Sequence, residues 1–304
     1  MKYSKMFSNF LIIGCGLIGS SVLKASLNKK IAKNYLIFEK SKKNILKIKK
    51  INPKIKILKN LDKDLSNVDV VFICTPMSEY KKIILKINKY LTPKHIITDV
   101  GSSKLKSVKI IKKYLKKKIF WTSSHPIAGS EVSGPEHGKQ DLFENKWCVL
   151  IKDNKTNLKH LKFLSSFWKK IGSKVVVMKP EKHDKIFSIT SHLPHLVAYN
   201  LVKSAQDFEK TQRFDLIKYS AGGLRDFSRI AASNEIMWRD IFFDNKTNVL
   251  KAIDLFIKNL KAFKRDINFK NDKSILKKLT ETKKVRSKII KLKQDINKPD
   301  FGRS

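Results

Sequence analysis

Short apolar runs alternate with amphipathic stretches through the first half of the chain. The runs in "NFLIIG", "YLIFE", "IKIL", "VDVVFICTP", "HIITDV", "IFWTSSHP" and "VVVM" are nearly unbroken by polar residues, the pattern of strands buried on both faces. Between them, residues 79–90 and 103–117 place Ile and Leu at helical spacing with Lys on the other side, as amphipathic helices do. Strand and helix in alternation imply right-handed crossovers and a mostly parallel sheet, so a doubly wound α/β domain is predicted. After "KVVVMKPEKHD" strand-like runs largely disappear. "KHDKIFSITSHLPHLVAYNLVKSAQ", "EIMWRDIFFDNKTNVLKAIDLFIKNLKAFKRDI" and "SILKKLTETKKVRSKIIKLKQ" carry helical periodicity instead. The predicted division is therefore residues 1–179 and a mainly α-helical 180–304, with the boundary near Pro180. From about residue 270 the chain has so little apolar surface that it reads as a peripheral helix or as partly disordered.

The first strand runs into "IIGCGLIGSS", where Gly14, Gly16 and Gly19 form G-x-G-x-x-G around Leu17 and Ile18. The first glycine permits the tight turn, the second lets a pyrophosphate approach the backbone, and the third allows close packing of helix on strand. The helix N-terminus then offers unpaired N–H groups to the phosphates. Glu39 closes the next strand about 20 residues on, where a carboxylate accepts hydrogen bonds from an adenosine ribose. A Rossmann-type nucleotide site is predicted. Glu39 favours NAD, because a 2′-phosphate would meet its charge, while Lys40, Lys42 and Lys43 beside it keep NADP open. Thr75, Pro76 and Met77 follow the fourth strand and either line the nicotinamide side or form a plain strand-to-helix turn.

Two more strand ends open on this side, "DVGSSK" and "SHPIAGSEVSG". They bring Ser102, Ser103, Lys104 and His125 towards a nicotinamide ring. A neutral histidine suits removal of a hydroxyl proton while a hydride leaves the adjoining carbon. A histidine before proline at a strand end serves equally well as a structural residue, and spacing does not decide between the two. "SHLPH" puts His192 and His195 on similar sides of a helix that Pro194 should kink or restart. Two histidines so spaced can bind a metal, but no pattern supplies a third ligand and none is expected. Arg225, Asp226 and Arg229 follow a glycine pair; they suit the bidentate grip of a carboxylate, or simply pair along a surface helix.

Composition adds bounds rather than chemistry. The 66 Lys and Arg against 26 Asp and Glu give a formal charge of +40, which would ordinarily point to nucleic acid or an acidic membrane. Here the lysines are dispersed on amphipathic faces instead of clustered with aromatic residues, so a basic nucleic-acid-binding protein is the remote reading and no nucleic-acid partner is expected. No apolar run approaches the roughly 18 residues of a membrane span, and the apolar N-terminal run is needed as a strand rather than as a signal peptide. Cys15, Cys74 and Cys148 are widely spaced and odd in number, which fits a reducing, cytoplasmic setting.

Five motifs in order, "GCGLIGSS", "DVGSSK", "HPIAGSEVSGPEHG", "HDKIFSITSHLPH" and "GGLRDFSRIAASNEIMWRDIF", resemble the prephenate, arogenate and cyclohexadienyl dehydrogenases over about residues 9–261, and "QDINKPDFGR" resembles the tail of cyclohexadienyl-type members. The resemblance implies a nicotinamide-binding domain, a helical dimerisation domain and a homodimer. It implies NAD-dependent oxidative decarboxylation of prephenate, arogenate or both on the route to tyrosine. By motif position, His125 would be the base on the ring hydroxyl and Ser102 its orienting partner. Arg229 would bind carboxylate, with Glu131 and Asp226 pairing with it at the cleft; His192 and His195 would line the pocket, and Gly222 and Trp238 would shape its wall. No fused mutase or regulatory domain is expected, and any feedback by tyrosine would act at the active site itself. Residues 124–138 hold no lysine, which reads as keeping ammonium groups away from His125, whose protonation they would disfavour. A hydroxyacid-type dehydrogenase is the nearest alternative, but that plan uses a lysine where this chain has histidines and arginines.

Overall fold

The structure, a computed structural model, describes residues 6–212, 215–292 and 294. Strand β1 (Phe7–Ile13), helix α1 (Leu17–Asn28), β2 (Ala32–Phe38), α2 (Lys42–Ile51), β3 (Lys56–Ile57), β4 (Val70–Ile73), α3 (Tyr80–Ile87), β5 (Ile96–Asp99) and α4 (Leu105–Tyr114) form the alternating half. The five strands make one parallel sheet in the order β3-β2-β1-β4-β5, the doubly wound arrangement whose ligand crevice lies at the carboxyl ends of the strands. The unbroken apolar runs are explained by the two cores on either side. Phe10, Ile12, Val70 and Phe72 pack on one face, and Leu11, Ile13, Val71 and Ile73 on the other, because successive strand residues point to opposite sides. Phe10 stacks on Phe72 at 4.9 Å between ring centres, and Phe167 and Trp168 close over the pair.

Beyond α4 the pattern departs from the expectation. "IFWTSSHP" is not one strand joined to the parallel sheet. Trp121 makes a single bridge to Ile97, and only Ser124–Pro126 form β6. β6 pairs antiparallel with β7 (Trp147–Ile151), which pairs parallel with β8 (Lys174–Met178) across α5 (Leu158–Lys170). Strand β7 was not among the sequence expectations.

Helices α6 (Pro180–Phe187), α7 (Leu193–Gln212), α8 (Gly222–Ala231), α9 (Glu235–Asp244), α10 (Lys246–Asn268) and α11 (Asp272–Lys291) follow. Pro180 occupies the first turn of α6, where its missing N–H costs nothing. A π-helical turn at Ser188–His192 separates α6 from α7, and Pro194 stands in the first turn of α7, so the expected restart takes the form of a wide turn. Asn234 caps α9 by accepting from the Met237 N–H. By its contacts the chain forms two compact units, one ending at Val249 and one from Leu250. In the second, Asp266 accepts from the Ser274 hydroxyl at 2.6 Å and pairs with Lys278, joining the end of α10 to α11. Residues from about 270 are thus helical as far as Lys291, while the tail motif beyond Gln294 lies outside the described residues. Among the described residues no helix is long and apolar enough to cross a membrane.

Candidate active site

The glycine loop joins β1 to α1. Gly14 has φ +84°, a conformation that L side chains rarely adopt, and a Cβ there would meet the Thr75 methyl at 2.7 Å. A Cβ on Gly19 would lie 2.3 Å from the Gly14 carbonyl oxygen, so this glycine lets α1 seat against the loop. Gly16 faces open space, with nothing within 4 Å of an added Cβ. It caps α1 without any side-chain bond to the first-turn N–H groups, and Leu17 and Ile18 form that first turn. Glu39, just past β2, accepts from Cys15 N at 2.9 Å and from Ser41 N at 3.0 Å, so its carboxylate is fixed beside the loop. Of the lysines that follow, Lys40 pairs with Glu79 at 2.6 Å. Thr75 and Pro76 follow β4; Pro76 is exposed, and the buried Thr75 Oγ1 has no hydrogen-bond partner. Open space at Gly16, uncommitted N–H groups and an orphaned hydroxyl beside the loop fit a dinucleotide.

His125 lies on β6. Ser124 before it bonds to Thr98 Oγ1 at 2.8 Å and to the Asp99 carbonyl at 2.7 Å, tying His125 to the carboxyl end of β5. Beneath it is a buried ion pair: Lys104 Nζ donates to Asp99 Oδ2 at 2.6 Å and to the Ser124 carbonyl at 2.7 Å. Asp99 also accepts from Tyr80 Oη, Trp121 Nε1 and Gly101 N. Burial favours its neutral form, but Lys104 above all, with Trp121, holds it below the usual carboxylate range. The reading that residues 124–138 keep ammonium groups from His125 needs correction. Those residues carry no lysine, yet Lys104 reaches the His125 neighbourhood from the α4 side, buried and neutralised by Asp99.

Burial first, then His183, Lys104 and His192, push the His125 pKa well below 6.5, so the ring is neutral at physiological pH. Its Nδ1 lies 2.7 Å from His183 Nε2, and His183 Nδ1 lies 2.8 Å from Asp184 Oδ1. Asp184 accepts in turn from the main-chain N–H groups of Lys104 and Leu105, both at 2.8 Å. Phe187 packs 5.0 Å from the His125 ring and 4.5 Å from the His183 ring. His183 and Asp184 stand in the quoted "KHDKIF", but the sequence reading gave them no role. The half-buried Ser102 has its main chain beside the His192 ring, while the His125 Nδ1 partner is His183.

His192 is fully buried, its Nδ1 3.1 Å from Asn245 Nδ2 and its Nε2 without a partner; burial foremost lowers its pKa to about 4. His195 bonds to the Ser191 carbonyl and stacks on Trp238 at 3.7 Å between ring centres. Trp238 is buried with its Nε1 unpartnered. On α8, which Gly222 opens, Arg229 pairs with Glu131 at 3.5 Å and Asp226 lies one turn before it. No group of three or more His, Cys, Asp or Glu able to hold a metal occurs among the described residues.

Comparisons with known proteins identify the family. Residues 26–177 match the family model "prephenate dehydrogenase, nucleotide-binding domain" and residues 179–282 match "prephenate dehydrogenase, dimerization domain". A cyclohexadienyl dehydrogenase of Zymomonas mobilis is 31% identical over 281 residues, covering 92% of this chain and 96% of the relative. The chain belongs to the prephenate dehydrogenase family. Another relative in the family, a prephenate dehydrogenase of Bacillus subtilis, is 33% identical over 263 residues, 84% of this chain and 69% of its own. Among solved structures, prephenate dehydrogenase from A. aeolicus in complex with hydroxyphenyl propionate and NAD+ superposes with a TM-score of 0.87 at 35% identity, covering 95% of this chain and 100% of its own. The prephenate dehydrogenase fold of this chain is thus a Rossmann-type α/β domain followed by a helical domain.

Proposed function

We propose that the protein oxidatively decarboxylates prephenate with NAD to 4-hydroxyphenylpyruvate in tyrosine biosynthesis, with His125 as base and Arg229 as carboxylate anchor. The observation that carries this reading is a buried neutral histidine on β6, tied through Ser124 to the carboxyl end of β5, on the side of the parallel sheet where β1 also ends and leads into the glycine loop. Relatives named as prephenate and cyclohexadienyl dehydrogenases support the substrate class.

NAD would be held by Gly14, Gly16, Gly19, Glu39 and Thr75, and when bound it supplies the hydride acceptor. The chain's own work is smaller than the reaction suggests, because loss of carbon dioxide makes the ring aromatic and the driving force lies in the substrate. His125 accepts the hydroxyl proton; its burial keeps the ring free of a proton beforehand. Arg229, held towards the cleft by Glu131, grips a carboxylate, and Asp226 on the same helix belongs to that gate. His192, His195 and Trp238, packed ring against ring, form the wall of the pocket. Ser102 lies on the turn beside that wall and orients the reacting groups. The boundary near Pro180 divides the nucleotide-binding part from the helical part, which makes a homodimer; the family model for the second part supports this assembly, and the free Cys15, Cys74 and Cys148 of the first part support a cytoplasmic location.

The deciding assay follows absorbance at about 340 nm with NAD or NADP crossed against prephenate or arogenate. A rise with NAD and prephenate supports the reading, and a rise with both substrates makes the enzyme a cyclohexadienyl dehydrogenase. Silence in every combination from protein that still binds NAD overturns it. His125→Asn should lower turnover by about 10²- to 10⁴-fold with substrate binding largely kept.

A further inference from the structure

One buried network beside His125 has no task in this reaction. We propose that His183 and Asp184 are positioning residues that hold His125 in the tautomer protonated at Nδ1, leaving Nε2 as the atom that takes the substrate proton. The inference rests on the reading of His125 as base.

Hydrogen-bond accounting fixes each proton in turn. Both oxygens of Asp184 accept main-chain N–H bonds from the start of α4. Asp184 is therefore an acceptor towards His183 as well, and the hydrogen between them belongs to His183 Nδ1. Burial lowers the His183 pKa more than Asp184 raises it. The ring is thus neutral, and its Nε2 carries a lone pair. A 2.7 Å contact between two ring nitrogens needs one hydrogen between them, and only His125 Nδ1 can supply it.

A free imidazole in water favours the opposite tautomer, with hydrogen on Nε2, which could not act as the base. The network therefore selects the working form and aims the ring. Charged and titratable groups face the pair from several elements: Lys104 and Asp99 from the β5–α4 turn, His192 from the π-helical turn, and Asp184 from α6. When His125 Nε2 accepts a proton from the substrate oxygen, the Nδ1–H bond to His183 is kept, and Asp184 stands behind His183 to balance the new positive charge.

The test uses the full chain with ¹⁵N-labelled histidine. In the wild type near neutral pH, His125 should show a protonated Nδ1 and a bare Nε2. In His183→Leu, which removes the acceptor, the Nε2–H tautomer should appear, and kcat for prephenate oxidation should fall by about 10²-fold. KM for prephenate and affinity for NAD should stay within a few-fold. His183→Gln, whose amide oxygen can accept from Nδ1–H, should recover most of the turnover. A wild-type His125 protonated at Nε2 overturns the proposal, as does a folded Leu variant with unchanged tautomer and kcat. If the Leu variant does not fold, the wild-type tautomer decides alone. If no substrate is oxidised at all, the proposed function fails, while the tautomer still reads the network.

Discussion

At the scale of single residues, the same burial that makes His125 a base also sets the pH at which it fails. Burial, with His183, Lys104 and His192 around it, lowers its pKa well below 6.5. A base must be unprotonated, so the acid limb of kcat/KM should lie below the ordinary histidine range, and activity should persist as pH falls through about 6.5. A rate profile that already halves above that value would place the proton acceptor elsewhere. Arg229 presents the opposite case, an exposed side chain with one carboxylate partner at 3.5 Å. Because it acts on the substrate before and during reaction alike, Arg229→Ala should raise KM by about 10- to 10²-fold and change kcat less. Steady-state kinetics separates the two constants, and an unchanged KM would move the carboxylate to Arg225.

At the scale of elements, the glycine loop makes a paired prediction. Gly19→Ala puts a Cβ 2.3 Å from the Gly14 carbonyl oxygen, a backbone atom that cannot step aside, whereas Gly16→Ala puts one in open space. The Gly19 variant should melt at a clearly lower temperature or fail to fold. The Gly16 variant should melt within a few degrees of the wild type but bind NAD at least about tenfold more weakly, because the added methyl occupies the approach of the pyrophosphate. Thermal melts together with NAD titration distinguish the two, and equal melting temperatures would refute the packing role of Gly19. This loop was readable in the sequence because its glycines, strand and helix are local and regularly spaced. β7 was not: "WCVLI" follows a long irregular stretch, and what makes it a strand is pairing with β6 and β8, over 20 residues away on either side. The same reason hid His183 and Asp184. Their meaning depends on β6 and the start of α4 meeting α6, and no periodicity in "KHDKIF" announces that. Lys104 was legible as a residue near the site but not as half of a buried pair, since Asp99 becomes its partner only when the turn after β5 closes.

Over the whole molecule, the buried and half-buried histidines make stability depend on pH in a defined window. His125, His160, His183, His192 and His195 all have pKa values lowered, with burial the first cause in each case. The unfolded chain binds protons below about pH 6.5 that the folded chain refuses, so stability is complete above that value and declines as pH falls towards the folded-state values. His192 alone, lowered to about 4, contributes about 3 kcal/mol that vanishes progressively across this interval. Asp99 acts in a separate, lower window, because its pKa is depressed below 3.8 and its contribution survives until the carboxylates protonate. A formal charge of +40 adds self-repulsion that further protonation increases. Thermal melts at constant ionic strength should therefore show a falling midpoint between about pH 7 and about pH 5. Replacing His192 by Asn should lower stability at neutral pH but flatten the decline, since Asn takes up no proton on unfolding. A melting temperature independent of pH across that range would mean that the histidines ionise as readily in the folded chain as in the unfolded one, and the neutral base at β6 would lose its physical footing.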